Sequence, residues 1–190
     1  VCEPSFECAL ERVACHRPDL ILVEQTRSWS FGDPLIEQAR AAAANGEIPV
    51  IVVGREEESD ELVALALGAD DYVPRGRMSR LVARIKVAMR RRVNQEHPPA
   101  SQVIDTGPLK LDGERFQAYV DGHATYLTPS EFKLLQEIVA ANGRVVRRDH
   151  LLSKVFGVKG QLESRRIDVH VAGLRKKLGS AAEWLQTVRT

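Results

Sequence analysis

The stretch Ser164–Leu178, S-R-R-I-D-V-H-V-A-G-L-R-K-K-L, decides how this chain is read. Ile167, Val171, Leu174 and Leu178 recur at steps of four, three and four, the spacing of one apolar stripe on an α-helix. That stripe predicts a helix docked on a core. The opposite side gathers Arg165, Arg166, Val169, Ala172, Gly173 and Lys176, cations around a small and partly apolar surface. Arginine and lysine neutralise phosphates, and a helix with short side chains along its middle can sink into a major groove. An ordinary solvated helix has the same pattern, so periodicity and charge leave both readings open.

The distribution of charge bears on that choice. The 190 residues carry 27 Lys and Arg against 26 Asp and Glu. Residues 1–97 hold 13 basic against 16 acidic side chains, and residues 98–190 hold 14 against 10, with the whole surplus after Val158. The length allows one large domain or two small ones, and an acidic first half with a basic end fits a regulatory module joined to a polyanion binder. Cys2, Cys8 and Cys15 are odd in number, sit in the first fifteen residues and lack zinc-site spacing. They read as buried or semi-exposed thiols in a reducing cytosol; no metal site, cofactor or disulfide framework is expected. No apolar run approaches the ~18 residues of a membrane span, and no signal peptide is visible, so a cytoplasmic protein with no membrane partner is expected. Because the chain opens on Val1, its true start is expected to lie upstream.

Outward from the quoted helix, the first half alternates short apolar runs with helical spacing. Val1–Cys2 reads as the tail of a strand, and Leu20–Val23, Pro49–Val53 and Asp71–Val73 as strands, the first two buried on both faces. Ser5–His16, Pro34–Ala44, Ser59–Leu67 and Ser79–Arg92 read as helices, and the alternation predicts a parallel α/β sheet. Residues 94–102, with Pro98-Pro99, form a polar linker. Three short strands follow, Leu109–Leu111, Phe116–Val120 and Ala124–Leu127, with a two-residue hairpin signal at Asp121-Gly122. Thr128-Pro129-Ser130-Glu131 is a helix start with cap, proline and capping-box glutamate. Asn142-Gly143 stops that helix, Asp149–Phe156 is a second one, and Trp184–Val188 reads as a final strand. The predicted domains are 1–93, the linker 94–102 and 103–190.

The motifs P-D-L-I-L-V-E, I-P-V-I-V-V-G and G-A-D-D-Y-V, in that order and spacing, resemble the receiver domain of bacterial response regulators. L-T-P-S-E-F-K-L-L, N-G-R-V-V-R-R-D-H-L-L, R-R-I-D-V-H-V-A-G-L-R-K-K-L and Q-T-V-R resemble the winged-helix effector domain of the OmpR/PhoB family. The resemblance covers nearly the whole chain. It implies an α/β fold: a flavodoxin-like receiver domain with its N-terminal strand and helix missing, followed by a winged helix-turn-helix domain whose wing is incomplete at Thr190. In the family strand order 2-1-3-4-5 the missing first strand lies inside the sheet. On the order of 25 preceding residues, one β–α unit and a strand, are therefore expected in the natural protein.

The resemblance also places functional residues. The family's phospho-accepting aspartate falls on Glu24, its phosphate-reading hydroxyl on Gly54 and its lysine on Arg75. These substitutions predict a receiver not used for aspartyl phosphotransfer, and no enzyme activity. The family's dimer face maps to Tyr72, at the switch-aromatic position, and to the charged residues Asp70, Asp71, Arg84 and Lys86. A family ion pair falls on Glu61 and Arg80 with its signs exchanged, which would preserve self-pairing and repel relatives of ordinary polarity. In the effector domain, position implies phosphate contacts for Arg165, Arg166, His170 and Arg175, base contacts for Asp168 and Val169, and minor-groove entry for Arg189. The family's arginines are replaced by Ala172 and Gly173, and Gly173 costs the helix ~1 kcal/mol relative to alanine. The loop Gly157, Val158, Lys159, Gly160, Gln161, Leu162 and Glu163 matches one that contacts RNA polymerase.

The expected function is a transcription regulator that binds double-stranded DNA as a homodimer. Two other classes stay open on sequence alone. A receiver retaining phosphotransfer would be separated by a phosphate-transfer assay, and a protein-interaction adaptor by sedimentation with and without operator DNA.

Overall fold

The computed structural model describes residues 6–27, 34–42, 48–96, 103–113, 117–157 and 164–188. The chain divides into two compact units, Val1–Met89 and Arg90–Thr190. The first unit contains α1 (Phe6–His16), β1 (Ile21–Glu24), α2 (Pro34–Ala42), β2 (Val50–Gly54), α3 (Glu58–Ala66), β3 (Asp71–Pro74) and the start of α4 (Met78–Glu96). The strands pair in parallel in the order β1-β2-β3, with Ile21 opposite Val50 and Ile51 opposite Asp71. Alternate residues of β2 feed opposite faces, as period-two geometry requires. Val50 and Val52 pack with Val23, Ile36, Ala64 and Tyr72, while Ile51 packs with Val73 and Ala88.

β1 differs from the expected strand buried on both faces. Only Val23 of its four residues is buried, and Leu22 is 48 % exposed. Among the described residues β1 pairs with β2 alone, so one edge has no described neighbour. α1 buries none of its residues, and Cys8 and Cys15 on it are exposed free thiols. Cys2 and the expected strand Val1–Cys2 lie outside the described residues. α4 runs to Glu96 and so takes up the first three residues of the expected linker.

The second unit opens with four antiparallel strands in chain order: β4 (Val103–Asp105), β5 (Leu109–Asp112), β6 (Gln117–Val120) and β7 (His123–Thr125). β4 was not legible as a strand from its three residues. Asp121 and Gly122 turn β6 into β7 with φ of 49° and 79°, both left-handed, the conformation of the expected two-residue hairpin. Helix α5 (Pro129–Ala140) starts with the full capping box. The Glu131 N–H donates to Thr128 Oγ1 at 3.3 Å, and the Thr128 N–H donates to Glu131 Oε2 at 2.7 Å. Helix α6 (Arg148–Leu151) continues as a π-helical turn, Leu152–Phe156, stopped by Gly157 at φ 66°. α7 (Ser164–Leu178) has the predicted bounds. A 3-10 helix, Gly179–Trp184, replaces the start of the expected strand Trp184–Val188, which finds no strand to pair with among the described residues.

A core of Leu109, Leu111, Ala118, Phe132, Leu135, Leu152, Phe156 and Leu174 joins the sheet to the helices. α7 is fixed to α5 by a polar contact as well. The buried Glu131 carboxylate accepts from Lys177 Nζ at 2.6 Å, and a Cβ at Gly173 would stand 2.9 Å from Glu131 Oε1. Gly173 is thus a packing position facing α5.

Its substitution should invert the usual helix rule. Gly→Ala inside a helix ordinarily stabilises by about 1 kcal/mol. Gly173→Ala should give no such gain, because the new methyl displaces a carboxylate already held by two donors. Urea unfolding of the variant checks this; a full gain would show that Glu131 can move aside without cost.

Candidate functional site

The two helical turns leading to Phe156, and α7 after them, carry the residues of the candidate surface of the second unit. On α7 the buried side is Arg166, Ile167, His170, Leu174 and Leu178. Val171, expected in the apolar stripe, is only half-buried, and His170 takes the inward place. The His170 ring stacks on Phe156 with centroids 5.1 Å apart. An aromatic partner lets a flat imidazole fill a core position, and this widens the buried face to take in His170 beside Ile167, Leu174 and Leu178.

Two residues expected to contact phosphates are buried. Arg166 is 1 % exposed and His170 3 % exposed, so neither side chain stands on the outer surface of the helix. The face that remains is Arg165, Asp168, Val169, Ala172 and Lys176, residues spaced to form one stripe. Arg175 is half-exposed and already engaged. Its Nε donates to Leu185 O at 3.2 Å and its Nη2 to Thr187 Oγ1 at 2.8 Å, tying α7 to the segment after the 3-10 helix. Arg189 and the loop residues Val158, Lys159, Gly160, Gln161, Leu162 and Glu163 lie outside the described residues; Gly157 is the αL cap.

Asp168 is not a solitary anion on this stripe. Arg148 Nη2 donates to its Oδ1 at 2.9 Å, both side chains being half-exposed. Beside it, Arg147 donates to Asp149 at 3.1 Å, and this hydrogen bond holds the Asp149 carboxyl below its ordinary value. Arg144, Arg147 and Arg148 therefore add exposed cations close in sequence to α6. The run N-G-R-V-V-R-R-D carried the family resemblance without being assigned a contact; its three arginines in five residues were the available signal.

In the first unit, the C-terminal ends of the strands bring Glu24, Gly54 and Arg75 to one rim. Arg75 Nη2 lies 3.0 Å from Glu24 Oε1 and donates to Gln25 O at 2.8 Å. The side-chain space of Gly54 is filled from both sides. Tyr72, fully buried, places its hydroxyl 2.9 Å from Gln25 Oε1 and 2.8 Å from Arg55 O. Burial, then the charges of Asp60 and Glu61, push the Tyr72 phenol up to about 12. Two more ion pairs occupy the rim, Arg55 with Asp60 at 2.8 Å and Arg77 with Glu56 at 2.6 Å.

Three residues expected on a dimer face are instead spent inside the unit. Asp70 is buried, accepts from the Val50 N–H at 2.9 Å and pairs with Arg40, which also donates to Gly68 O and Ile48 O. Asp71 accepts from the Tyr72 N–H at 2.8 Å and pairs with the buried Arg84 at 3.2 Å. These contacts lace α2 and α4 to the strands. Lys86 is exposed, Glu61 and Arg80 are half-exposed, and Met78 and Val82 on α4 are exposed apolar residues. Among the described residues no group of acidic, histidine or cysteine side chains could hold a metal ion, and no helix is long and apolar enough to cross a membrane.

Comparison with known proteins bears on both units. A family model described as "Transcriptional regulatory protein, C terminal" matches residues 122–190. The sensory transduction protein RegX3 of Mycobacterium leprae (strain TN) is 36 % identical over 162 residues, covering 84 % of this chain and 80 % of RegX3. The phosphate regulon transcriptional regulatory protein PhoB of Escherichia coli (strain K12) is 36 % identical over 189 residues, covering 97 % of this chain and 81 % of PhoB. A solved structure of a single-residue mutant of RitR is similar in fold, with TM-score 0.71, 22 % identity, and coverage of 98 % of this chain and 82 % of that one. Identity at this level over four-fifths of PhoB and RegX3 settles the relationship: the chain belongs to the OmpR/PhoB family of transcriptional response regulators.

Proposed function

We propose that this regulator binds double-stranded DNA sequence-specifically as a homodimer, with α7 in the major groove, and that its receiver works without aspartyl phosphorylation. The observation that carries the DNA reading is the outer stripe of α7. Arg165 and Lys176 are cations at its ends, and Val169 and Ala172 leave the middle small enough for base edges to come close. Arg148 beside Asp168 keeps a carboxylate from facing the phosphates uncompensated. Arg189 at the minor groove, and the 157–163 loop on RNA polymerase, are carried over from the family by position. So is a cytoplasmic location, by kinship with response regulators.

Phosphorylation independence is supported by the rim. A phospho-acceptor must have a free carboxylate and a hydroxyl positioned to read the product. Here Glu24 is engaged by Arg75, and position 54 has no side chain, its space being taken by Tyr72 and Gln25. Without a phosphate trigger, self-association through α3, β3 and α4 would be constitutive. Met78 and Val82 supply exposed apolar surface, and Glu61, Arg80 and Lys86 supply charge that selects the partner. Exposed ion pairs contribute only ~0–1 kcal/mol each, so charge orders the interface and apolar contact holds it.

Three outcomes are expected. Arg165→Ala should flatten the salt dependence of DNA affinity by about one unit for the lost phosphate contact, while Arg166→Ala should leave the slope unchanged and lower thermal stability. Fluorescence titrations at several salt concentrations separate the two, and equal slope changes would contradict the assigned faces. Acetyl phosphate or beryllium fluoride with magnesium should alter neither oligomeric state nor DNA affinity; a shift in sedimentation or binding would sink the phosphorylation-independent reading. Glu61→Lys should weaken self-association and the further change Arg80→Glu restore it. Ultracentrifugation that finds the double variant no better than the single one would show that these residues do not pair.

A further inference from the structure

The ends of β1, β2 and β3 converge over Gly54 so closely that this position admits no side chain. A Cβ there would fall 2.1 Å from Gln25 Oε1, 2.2 Å from Tyr72 Oη and 2.8 Å from Tyr72 Cζ. A side chain at 54 therefore requires Gln25 and the buried Tyr72 ring to shift from these places. The hydroxyl of Tyr72 reaches two oxygen acceptors, Gln25 Oε1 and Arg55 O, with a single proton. Gln25, itself buried, has an Nε2 with no partner among the described residues. Turning its amide over resolves the geometry. Nε2 then donates to Tyr72 Oη, and the hydroxyl proton goes to Arg55 O. The group left unpaired becomes a carbonyl, which buried structure tolerates better than an orphaned N–H.

We infer that Tyr72 is a fixed strut and that Gly54 and Gln25 are the residues that fix it. The ring is fully buried, its hydroxyl ties the ends of three segments together, and burial together with Asp60 and Glu61 keeps it protonated. The rim consequently holds one conformation with no phosphoryl group bound, and the surface of α3, β3 and α4 is held in one state with it. This inference rests on the phosphorylation-independent reading of the same rim and assigns its physical cause.

Nitration of the full chain by tetranitromethane, mapped by mass spectrometry, tests this. Tyr72 should be protected in the unmodified protein, while Tyr126, 58 % exposed, reacts and serves as the internal control. In Gly54→Thr the reactivity of Tyr72 should rise toward that of Tyr126. Should that variant not fold, a double-mutant cycle by urea unfolding gives the second readout: Gly54→Ala should cost less stability in a Tyr72→Leu background than in the original one. Tyr72 as protected in Gly54→Thr as before, or an equal cost of Gly54→Ala in both backgrounds, would overturn the strut. Phosphate uptake by the original chain with Tyr72 still protected would refute the phosphorylation-independent reading and leave the strut standing, so the two fail separately.

Discussion

One buried carboxylate, Glu131, governs how the second unit presents its surface. It caps α5 through the Thr128 N–H, receives Lys177 from α7, and stands so close to Gly173 that a side chain there would collide with it. A carboxylate this deep is stable only with its donors in place, because an uncompensated buried charge costs several kcal/mol. The cap therefore cannot form well unless α7 is docked, and α7 cannot dock with a larger residue at 173. Helix start and helix packing are one interaction. With the Glu131 side settled, and with His170 against Phe156, the rotation of α7 is set, and that rotation selects which residues meet solvent.

The first unit follows the same logic with more charges. Its exposed rim and its buried strand ends both carry ionic groups whose partners belong to the same chain. Asp70 takes Arg40 and the Val50 N–H; Asp71 takes Arg84; Glu24 takes Arg75; Asp60 takes Arg55. In doubly wound sheets a ligand enters beside the carboxyl ends of the strands. Here that region is crowded by side chains of the same chain. An incoming anion would have to compete with Glu24 for Arg75 at a partly solvated site, where the exchange of one carboxylate for another brings little net gain.

Much of this architecture was readable from residue order, because local rules carried it. The bounds of α7, the capping box at Thr128 and the left-handed pair Asp121-Gly122 depend on a few adjacent residues. What escaped depends on residues far apart in the chain. Steps from 167 to 171 and from 167 to 170 are both helical, and the inward place of His170 shows only where its ring meets Phe156. Charge in a sequence does not reveal where its counter-charge sits; Asp70 meets an arginine thirty residues earlier. The run I-L-V-E reads alike at the middle and the edge of a sheet, so Leu22 gave no sign of its exposure. Trp184–Val188 has strand-forming residues, but a strand needs a neighbour, and Arg175 secures Leu185 and Thr187 instead. Gly54 was legible as a loss, a missing hydroxyl; that it is also a space for Tyr72 required the third dimension.

These restrictions bear on how the protein reaches useful affinity. With Arg166 and His170 inside, and Arg175 engaged, the outer stripe of α7 offers only Arg165 and Lys176 as its cations, with Arg148 shared with Asp168. Phosphate contacts supply most of non-specific affinity and weaken with salt at a slope of about −0.9 per contact, so on the proposed reading a single copy with few contacts would hold DNA loosely. Linking two copies turns the second binding event into an intramolecular one and multiplies affinity without any new residue on the helix. The gain is largest when the two copies are already joined, since no binding energy is then diverted to assembling them. A rim that needs no phosphoryl group to hold its shape would leave the joining surface permanently formed. On the proposed reading, the sparse stripe and the buried tyrosine would belong together: the less each helix contributed on its own, the more the protein would depend on a pairing face formed without a signal.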